Sequence, residues 1–225
     1  MVETIDLFKD YKVGKVLFPA LRGISLKIED GEFIAIAGPS GSGKTTLLNI
    51  IGCLDIPTKG DVLINGTSIT TLSTKEKAEF RKNELGFVFQ TFNLIPVLTA
   101  YENVEMHLIL VNMPAEEKKE RVISILEEVG LSEFINRKSN EMSGGQQQRV
   151  AIARALVKKP SMVLADEPTA NLDSMNAKEI LSLMKELNKK KKTTFIFSTH
   201  DPLVMEFAER IIYLRDGKIA SDKKK

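Results

Sequence analysis

The sequence has 225 residues, of which 43% are hydrophobic and 28% are charged, and its formal net charge is +2. This composition is typical of an ordinary globular protein and excludes a disordered or fibrous chain. No apolar run approaches the ~18 residues that a membrane span needs, and the charged N-terminus lacks the apolar core of a signal peptide. These features predict a cytoplasmic protein.

Lysines are concentrated in two runs, residues 189–192 and 223–225. Without these runs the chain is mildly acidic, and a nucleic-acid-binding protein needs a basic face rather than two short patches. We therefore expect no nucleic-acid partner. The first run is interpreted as a solvated helix end, which suits the negative end of a helix dipole, and the second as a frayed tail.

The first third of the chain alternates strand-like runs with turn signals. Asp30-Gly31 and Asn65-Gly66, and Asp216-Gly217 near the other end, each lie between runs of alternating apolar residues. Such dipeptides are the strongest short-range signal for a hairpin. They predict an antiparallel β layer, built from both chain ends, beside a main sheet.

Residues 38–45, Gly-Pro-Ser-Gly-Ser-Gly-Lys-Thr, form a phosphate-loop motif between an apolar run and a helix-like segment. Glycines in this pattern let backbone N–H groups and the helix N-terminus surround a polyphosphate. Lys44 can then reach the β- and γ-phosphates, and the Thr45 hydroxyl can ligate Mg²⁺. A chance glycine-rich turn is the alternative, which the flanking strand and helix make less favourable.

Four apolar runs read as strands that are buried on both faces. They are residues 33–37, 87–89, 162–165 and 195–197. Each is followed by polar groups: the phosphate loop, Gln90, the pair Asp166-Glu167, and His200. Because ligands bind beyond the carboxyl ends of strands in an open α/β sheet, these groups are predicted to converge on one nucleotide.

The polar groups at the strand ends suit the hydrolysis of a phosphate ester. We predict that Asp166 holds Mg²⁺ and that Glu167 polarises the attacking water, with a solvated Asp-Glu turn as the alternative. His200 is predicted to hydrogen-bond the γ-phosphate or to orient the water. Gln90 is predicted to sense Mg²⁺ or the attacking water. The alternative is that Gln90 is a surface glutamine with no role in the site.

Five further residues have less specific interpretations. Tyr11 can stack on an adenine base, with Phe8 and Phe18 as competing candidates. Cys53 lies among apolar residues and is expected to be a buried structural thiol rather than a reactive one. His107 lies inside a helical segment and is interpreted as structural.

The pattern turns helical between Gln90 and about Pro160. Residues 99–102, Thr-Ala-Tyr-Glu, form a capping box, and Pro114 is placed to start the next helix. Gly130 is expected to end that helix. Its predicted core stripe is Val122, Ile125, Leu126 and Val129. We predict one domain, with a helical subdomain at about residues 91–159 inserted into a nucleotide-binding core of residues 1–90 and 160–225.

A second anion site is predicted at residues 143–146, Ser-Gly-Gly-Gln. Ser143 can cap the helix that follows, and two glycines let N–H groups face an anion. The single phosphate loop leaves this site without a ligand of its own. It is either a capped helix and no more, or a contact for a nucleotide held elsewhere, including on another chain.

These motifs together resemble those of the ATP-binding cassette (ABC) ATPases over essentially the whole chain. The resemblance implies an α/β fold: a P-loop NTPase (RecA-like) core with a mainly parallel sheet, an antiparallel β subdomain and an inserted α-helical subdomain. It implies ATP and Mg²⁺ as cofactors. The departures are small, since Met142 replaces the usual leucine and Asn171 the commoner alanine.

The resemblance also carries over site residues, position by position. The implied catalytic residues are Glu167, His200, Lys44 and Gln90. The implied metal residues are Thr45, Gln90 and Asp166. The implied nucleotide-binding residues are Tyr11, Gly38, Ser40, Gly41, Ser42, Gly43, Lys44, Thr45, Thr46, Ser143, Gly144, Gly145 and Gln146.

The resemblance further implies a head-to-tail dimer, with each ATP between one subunit's phosphate loop and the other's residues 143–146. Residues 51–55 and 92–105 look like those of the lipoprotein-releasing and macrolide-efflux branch. This branch implies integral membrane permease subunits, contacted near residues 90–102, and a peripheral location at the cytoplasmic face of the cell membrane. Apolar residues after Gln90 suit such a contact, although burial beneath the helical subdomain is the alternative.

Other nucleotide-binding classes fit less well. A GTPase would need an Asn-Lys-x-Asp motif, and residues 188–191 lack its aspartate. A small-molecule kinase gives no reason for residues 143–146. A chromosome-maintenance ATPase would carry a long coiled coil, whereas the helical insert shows no sustained heptads. The remaining alternatives are a soluble ABC-type ATPase outside transport and a small-molecule P-loop kinase.

Overall fold

The computed structural model describes residues 1–14, 16–109 and 111–225. The strands are β1 (Val2–Val13), β2 (Val16–Ile28), β3 (Phe33–Ala37), β4 (Lys59–Ile64), β5 (Thr67–Ser68), β6 (Leu85–Val88), β7 (Met162–Asp166), β8 (Thr194–Thr199), β9 (Arg210–Arg215) and β10 (Lys218–Lys224). The α-helices are α1 (Lys44–Ile51), α2 (Thr74–Glu84), α3 (Ala100–Glu105), α4 (Ala115–Glu128), α5 (Gly144–Leu156), α6 (Ser174–Lys191) and α7 (Pro202–Phe207). None of the helices in these ranges combines the length and apolar character that crossing a membrane requires.

The main sheet has six strands in the order β10-β9-β3-β8-β7-β6. All neighbours except β10 and β9 run parallel. The four strands predicted from apolar runs are therefore adjacent, and their carboxyl ends lie at one edge of the sheet. Every residue of β3 and β8 is buried, as their uninterrupted apolar sequences indicate.

A second, antiparallel sheet has the order β2-β1-β4-β5. Its β4–β5 turn is the predicted Asn65-Gly66 hairpin, where both residues have positive φ (51° and 79°). Asparagine and glycine tolerate this left-handed backbone better than other residues do, which is why the dipeptide marks the turn. The predicted antiparallel β subdomain is confirmed for the N-terminal part of the chain.

The prediction that both chain ends build the antiparallel layer is wrong. The Asp216-Gly217 hairpin does form, but its strand β9 pairs in parallel with β3 and extends the main sheet. Asp30-Gly31 does not form a hairpin, because β2 and β3 belong to different sheets. A two-residue turn signal specifies a local reversal and carries no information about which sheet receives the next strand.

The second lysine run is also not a frayed tail. Lys223 and Lys224 belong to β10 and pair with β9. The Lys224 ammonium forms an ion pair of 3.0 Å with Glu32. In the first run, Lys190 and Lys191 end α6, as predicted, and both pair with Glu128 of α4.

The helices between β6 and β7 follow the sequence signals closely. Thr99 caps α3 in a reciprocal capping box, Pro114 precedes α4, and Gly130 follows its end with a positive φ of 75°. The predicted core stripe of α4 is buried. Helix α2 was missed, although Ser73 and Glu76 form a capping box that marks its start.

Two hydrophobic clusters cover the two faces of the main sheet. One joins α3, α4, α5 and α6 to side chains such as Phe33 and Phe197. The other packs α1 and the antiparallel sheet against side chains such as Ile34 and Ile196, and it contains the buried Cys53. Since one cluster spans both the helices and the sheet, the division at residues 91–159 stays a prediction.

Candidate active site

The phosphate loop leaves β3 and enters α1 through glycines that no other residue can replace without strain. Gly38, Gly41 and Gly43 have φ values of 148°, 77° and 100°. A Cβ atom at Gly43 would lie 2.6 Å from the Ala20 carbonyl oxygen. The loop is therefore built for left-handed backbone and for close packing against β2.

Lys44 is the buried cation of this loop. Its ammonium donates to the carbonyl oxygens of Gly38 and Pro39, both at 2.9 Å. An ammonium has three donors, so one remains for a further acceptor. The neighbouring Ser42 hydroxyl is buried and has no hydrogen-bond partner among the described residues. Both observations fit a loop that accepts phosphate oxygens.

A cavity of about 550 Å³ lies beside the loop. Its lining combines loop residues with Tyr11 from β1, Gln90 after β6, Glu167 after β7 and His200 after β8. Side chains from three strand ends thus meet the phosphate loop, as the sequence predicts. This volume suits a small-molecule ligand of nucleotide size.

Thr45 of α1 and Asp166 of β7 are in contact beside the phosphate loop. The Thr45 hydroxyl donates to the Asp166 carboxylate at 3.1 Å. In the described ranges, no three His, Cys, Asp or Glu side chains gather into a metal site. Mg²⁺ suits this arrangement, because it is usually held by one or two protein oxygens together with phosphates and water. The residues present therefore fit a magnesium ion bound with a polyphosphate.

The backbone turns away from the direction of β7 at Glu167, whose φ is positive (46°). Its backbone N–H donates to the Ser198 carbonyl oxygen at 2.9 Å, which fixes the turn. One carboxylate oxygen lies 2.6 Å from His200 Nδ1, and the other accepts a bond of 3.0 Å from the Thr199 hydroxyl. Asp166 and Glu167 therefore have different partners, as strand alternation predicts.

Thr199 is a site residue that sequence reasoning missed. Its side chain is fully buried, and its hydroxyl also accepts from the Asp201 backbone N–H at 2.9 Å. The available signal was a hydroxyl residue directly before a histidine at a strand end. Thr199 therefore anchors the Glu167 carboxylate to the start of α7.

Tyr11 is the one of the three aromatic candidates that lines the cavity. Phe18 is its cross-strand partner and is 53% exposed, and Phe8 lies against Gly23. The Tyr11 hydroxyl donates to Asp55 at 2.7 Å. Burial raises the pKa of the Tyr11 hydroxyl, so it is a neutral donor at pH 7.

The second predicted anion site is not brought to this cavity. Ser143 caps α5 in a reciprocal box with Gln146, and Gly144 and Gly145 form the first turn. None of these residues lines the cavity. The chain therefore presents a helix start with free N–H groups that its own phosphate loop does not supply with a ligand.

The segment after Gln90 is tied to α5 and to the loop after β7. The Gln90 carbonyl oxygen accepts from Asn171 Nδ2 at 2.8 Å. Phe92 and Asn93 both have positive φ, and their carbonyl oxygens accept from the Arg154 guanidinium. These contacts were not expected from the sequence, since they join residues that are distant along the chain.

Comparisons with known proteins agree with this geometry. The ABC transporter family profile matches residues 21–170. An uncharacterized ABC transporter ATP-binding protein, MJ0796, of Methanocaldococcus jannaschii is 49% identical over 100% of this chain and 97% of its own length. The macrolide export ATP-binding/permease protein MacB of Syntrophobacter fumaroxidans is 46% identical over 97% of this chain, which spans 31% of that longer protein.

Solved structures of ATP-binding cassettes share the fold. A dimeric post-hydrolysis state of MJ0796 bound to ADP and Pi is 48% identical, covers 100% of this chain and 98% of its own, and superposes with a TM-score of 0.90. The structure of cbiO1 from Clostridium perfringens, part of the ABC transporter complex cbiONQ, is 30% identical, covers 99% of this chain and 88% of its own, and has a TM-score of 0.90. The predicted P-loop NTPase fold is confirmed, and the chain belongs to the ABC transporter family as an ATP-binding cassette that hydrolyses ATP.

Proposed function

We propose that the chain is the energy-coupling subunit of a membrane transporter and works as a head-to-tail dimer with two shared ATP sites. The observation that carries this proposal is the place of residues 143–146, which start α5 outside the cavity of their own chain. A helix start with free N–H groups attracts a phosphate. A second copy would supply that phosphate, and the dimeric solved structure of MJ0796 supports such an assembly.

In this dimer, the backbone of residues 38–46 and the Lys44 ammonium hold the phosphates. Thr45, Asp166 and Gln90 would hold Mg²⁺, which supplies neutralisation of the phosphate charge when bound. Tyr11 stacks on the adenine base. The four residues 143–146 of the second copy cover the γ-phosphate from the other side.

Glu167 is placed to act as the general base for hydrolysis. Its carboxylate is 16% exposed and lies at the cavity wall, so a water in the cavity can reach it. The His200 Nδ1–H donates to this carboxylate, and the His200 side chain is 69% exposed, which leaves its ring able to contact the γ-phosphate. The Glu167 carboxylate takes a proton from the attacking water as the water oxygen bonds to the γ-phosphorus. The bond from that phosphorus to the oxygen bridging the β- and γ-phosphates breaks, so that ADP leaves and phosphate is released.

We infer that the transport partner is an integral membrane permease of the lipoprotein-releasing or macrolide-efflux type. Two large apolar side chains after Gln90 are solvent-exposed, Ile95 at 37% and Val97 at 68%. Exposed apolar side chains grouped on one loop favour a protein contact. The 46% identity with MacB, an ATP-binding/permease protein, supports this class of partner and a location at the cytoplasmic face of the membrane.

The dimer is tested by measuring the mass in solution of Glu167→Gln, with ATP, with ADP and without nucleotide. This substitution keeps the shape of the side chain and removes the base, so ATP is bound and not consumed. We expect a monomer alone, a dimer with ATP, and a monomer with ADP. A Lys44→Ala version of the same variant is the control and stays monomeric with ATP.

Three outcomes would contradict the proposal. A monomer under all conditions, despite tight ATP binding, would show that two copies of this chain do not share the nucleotide. Transfer of the γ-phosphate from ATP to a small molecule would favour the kinase alternative, whereas a dimer that contacts no membrane permease would favour an ABC-type ATPase outside transport.

A further inference from the structure

The Tyr11 ring is held at the cavity wall by two charged side chains, Lys9 and Asp55. The Tyr11 hydroxyl donates to Asp55 Oδ2 at 2.7 Å. The Lys9 ammonium donates to Asp55 Oδ1 at 2.5 Å and to the Ile56 carbonyl oxygen at 2.7 Å. Both carboxylate oxygens of Asp55 are therefore used, one by the aromatic ring and one by the cation.

This cluster is more than a surface ion pair. The Lys9 side chain is 13% exposed and the Asp55 side chain is 26% exposed. Burial raises the pKa of Asp55, but the hydrogen bonds from Lys9, Tyr11 and the Ile56 backbone N–H, together with the Lys9 charge, outweigh burial and hold that pKa below its ordinary value. Asp55 is thus a charged acceptor at pH 7, and a charged acceptor makes a stronger bond with the Tyr11 hydroxyl.

The cluster also occupies one face of the ring. The Lys9 ammonium lies 4.9 Å from the centroid of the Tyr11 ring, within cation–π distance. Tyr11 lines the cavity, whereas Lys9 does not. The ring therefore has one face against a protein cation and leaves the other for a ligand. Asp55 follows α1, so its hydrogen bond with the Tyr11 hydroxyl connects the ring to the helix that follows the phosphate loop.

We propose that Lys9 and Asp55 are positioning residues that fix the Tyr11 ring in the orientation in which it stacks on the nucleotide base. This inference rests on the proposed function, in which Tyr11 contacts adenine. A ring that is fixed before binding loses less side-chain freedom when the base arrives. Neither Lys9 nor Asp55 lines the cavity, so we expect their contribution only for ligands that carry a base.

The test compares two probes, MgATP and magnesium tripolyphosphate, by equilibrium binding to the full chain. Tripolyphosphate occupies the phosphate loop and has no base. We expect Asp55→Asn and Tyr11→Phe each to weaken MgATP binding by roughly threefold to tenfold, which corresponds to the conformational entropy that one side chain loses on binding. Both variants are expected to leave tripolyphosphate binding unchanged. Asparagine keeps an acceptor oxygen but loses the charge that strengthens the bond, whereas Tyr11→Phe removes the donor. Because both changes act on the same bond, the double variant is expected to weaken MgATP binding by less than the product of the two single effects.

The matched control is Glu79→Gln, which breaks the Lys82–Glu79 pair on α2, also at 2.5 Å, outside the cavity. It is expected to bind both probes as the natural chain does. Tyr11→Ala serves as the reference for complete loss of the stack, expected at about tenfold or more for MgATP alone.

Each other result has a distinct meaning. If Tyr11→Ala weakens MgATP binding while Asp55→Asn and Tyr11→Phe do not, the positioning role is wrong and the base contact stands. If Tyr11→Ala has no effect, the base contact in the proposed function is wrong, and the positioning role with it. Equal losses of both probes in Asp55→Asn would show an effect on the phosphate loop and overturn the inference.

Discussion

At the scale of single residues, the site depends on hydroxyl groups as well as on the charged groups that carry the chemistry. Thr45 contacts Asp166, and Thr199 contacts Glu167. The sequence motif predicts the first contact, because the phosphate-loop pattern ends in a serine or threonine. It does not predict the second, since an apolar strand that ends in Ser198-Thr199 gives no indication of which hydroxyl faces the neighbouring strand.

We predict that Thr199→Val lowers ATP hydrolysis by about tenfold, because the buried hydroxyl that orients the Glu167 carboxylate is worth roughly one hydrogen bond to a charged group. Valine has nearly the shape of threonine, so the packing of β8 is kept. The measurement is the steady-state rate at saturating ATP, together with ATP binding, which we expect to be unchanged.

Thr199→Ser is the matched control for this prediction. It retains the hydroxyl and loses a methyl group from a fully buried position, so it is expected to hydrolyse ATP at nearly the natural rate. Equal rates for the valine and serine variants would show that the bond to Glu167 does not contribute to hydrolysis.

At the scale of elements, most of the fold follows from local signals. Buried parallel strands were found from uninterrupted apolar runs, and α3 and α4 from capping residues and a helical stripe. The missed helix α2 has no buried residues, so it lacks the apolar period by which the other helices are recognised. The placement of β9 next to β3 depends on packing across the whole chain, which no local pattern specifies.

His107 lies in a short 3₁₀ turn after α3 (Met106–Leu108). Burial, Arg154 and Lys158 lower the pKa of His107 from 6.5 to about 4. The folded state therefore keeps this histidine neutral between pH 6.5 and 4, while the unfolded chain binds a proton. The contribution of His107 to stability is complete above pH 6.5 and is lost as the pH falls towards 4.

We predict that the natural chain loses roughly 2–3 kcal/mol more stability than His107→Gln when the pH is lowered from 7 to about 4. Urea unfolding at each pH measures the free energy of unfolding of both proteins. Equal pH dependence in the natural chain and in His107→Gln would exclude His107 as the cause.

At the scale of the whole molecule, the proposed dimer places the ligand of residues 143–146 on the phosphate loop of a second chain. Two substitutions separate the halves of the proposed shared site. Lys44→Ala removes the cation of the phosphate loop. Gly144→Asp places a negative charge at the start of α5, where it repels a phosphate, and the nearest atom to the added Cβ is 3.5 Å away, so the fold is kept.

We predict that each variant alone is inactive and that mixing the two restores hydrolysis. In a mixed dimer one site has lost both contributions, while the other combines the intact Lys44 of one subunit with the intact Gly144 of its partner. Lys44→Ala copies do not pair with one another, so pairing is not random. Each mixed dimer carries one intact site out of two, and the rate is therefore expected to recover to at most about half of the natural rate. The measurement is the hydrolysis rate against the mixing ratio, with a maximum at equal amounts.

Within a single chain, both groups would have to serve the same nucleotide, and no mixture of the two variants could then be active. A flat, inactive mixing curve, from variants that still associate with each other, would therefore place both groups on one chain's nucleotide and contradict the shared site. Recovery at equal amounts requires that the phosphate loop and the start of α5 meet across two subunits, because neither variant contains both groups intact.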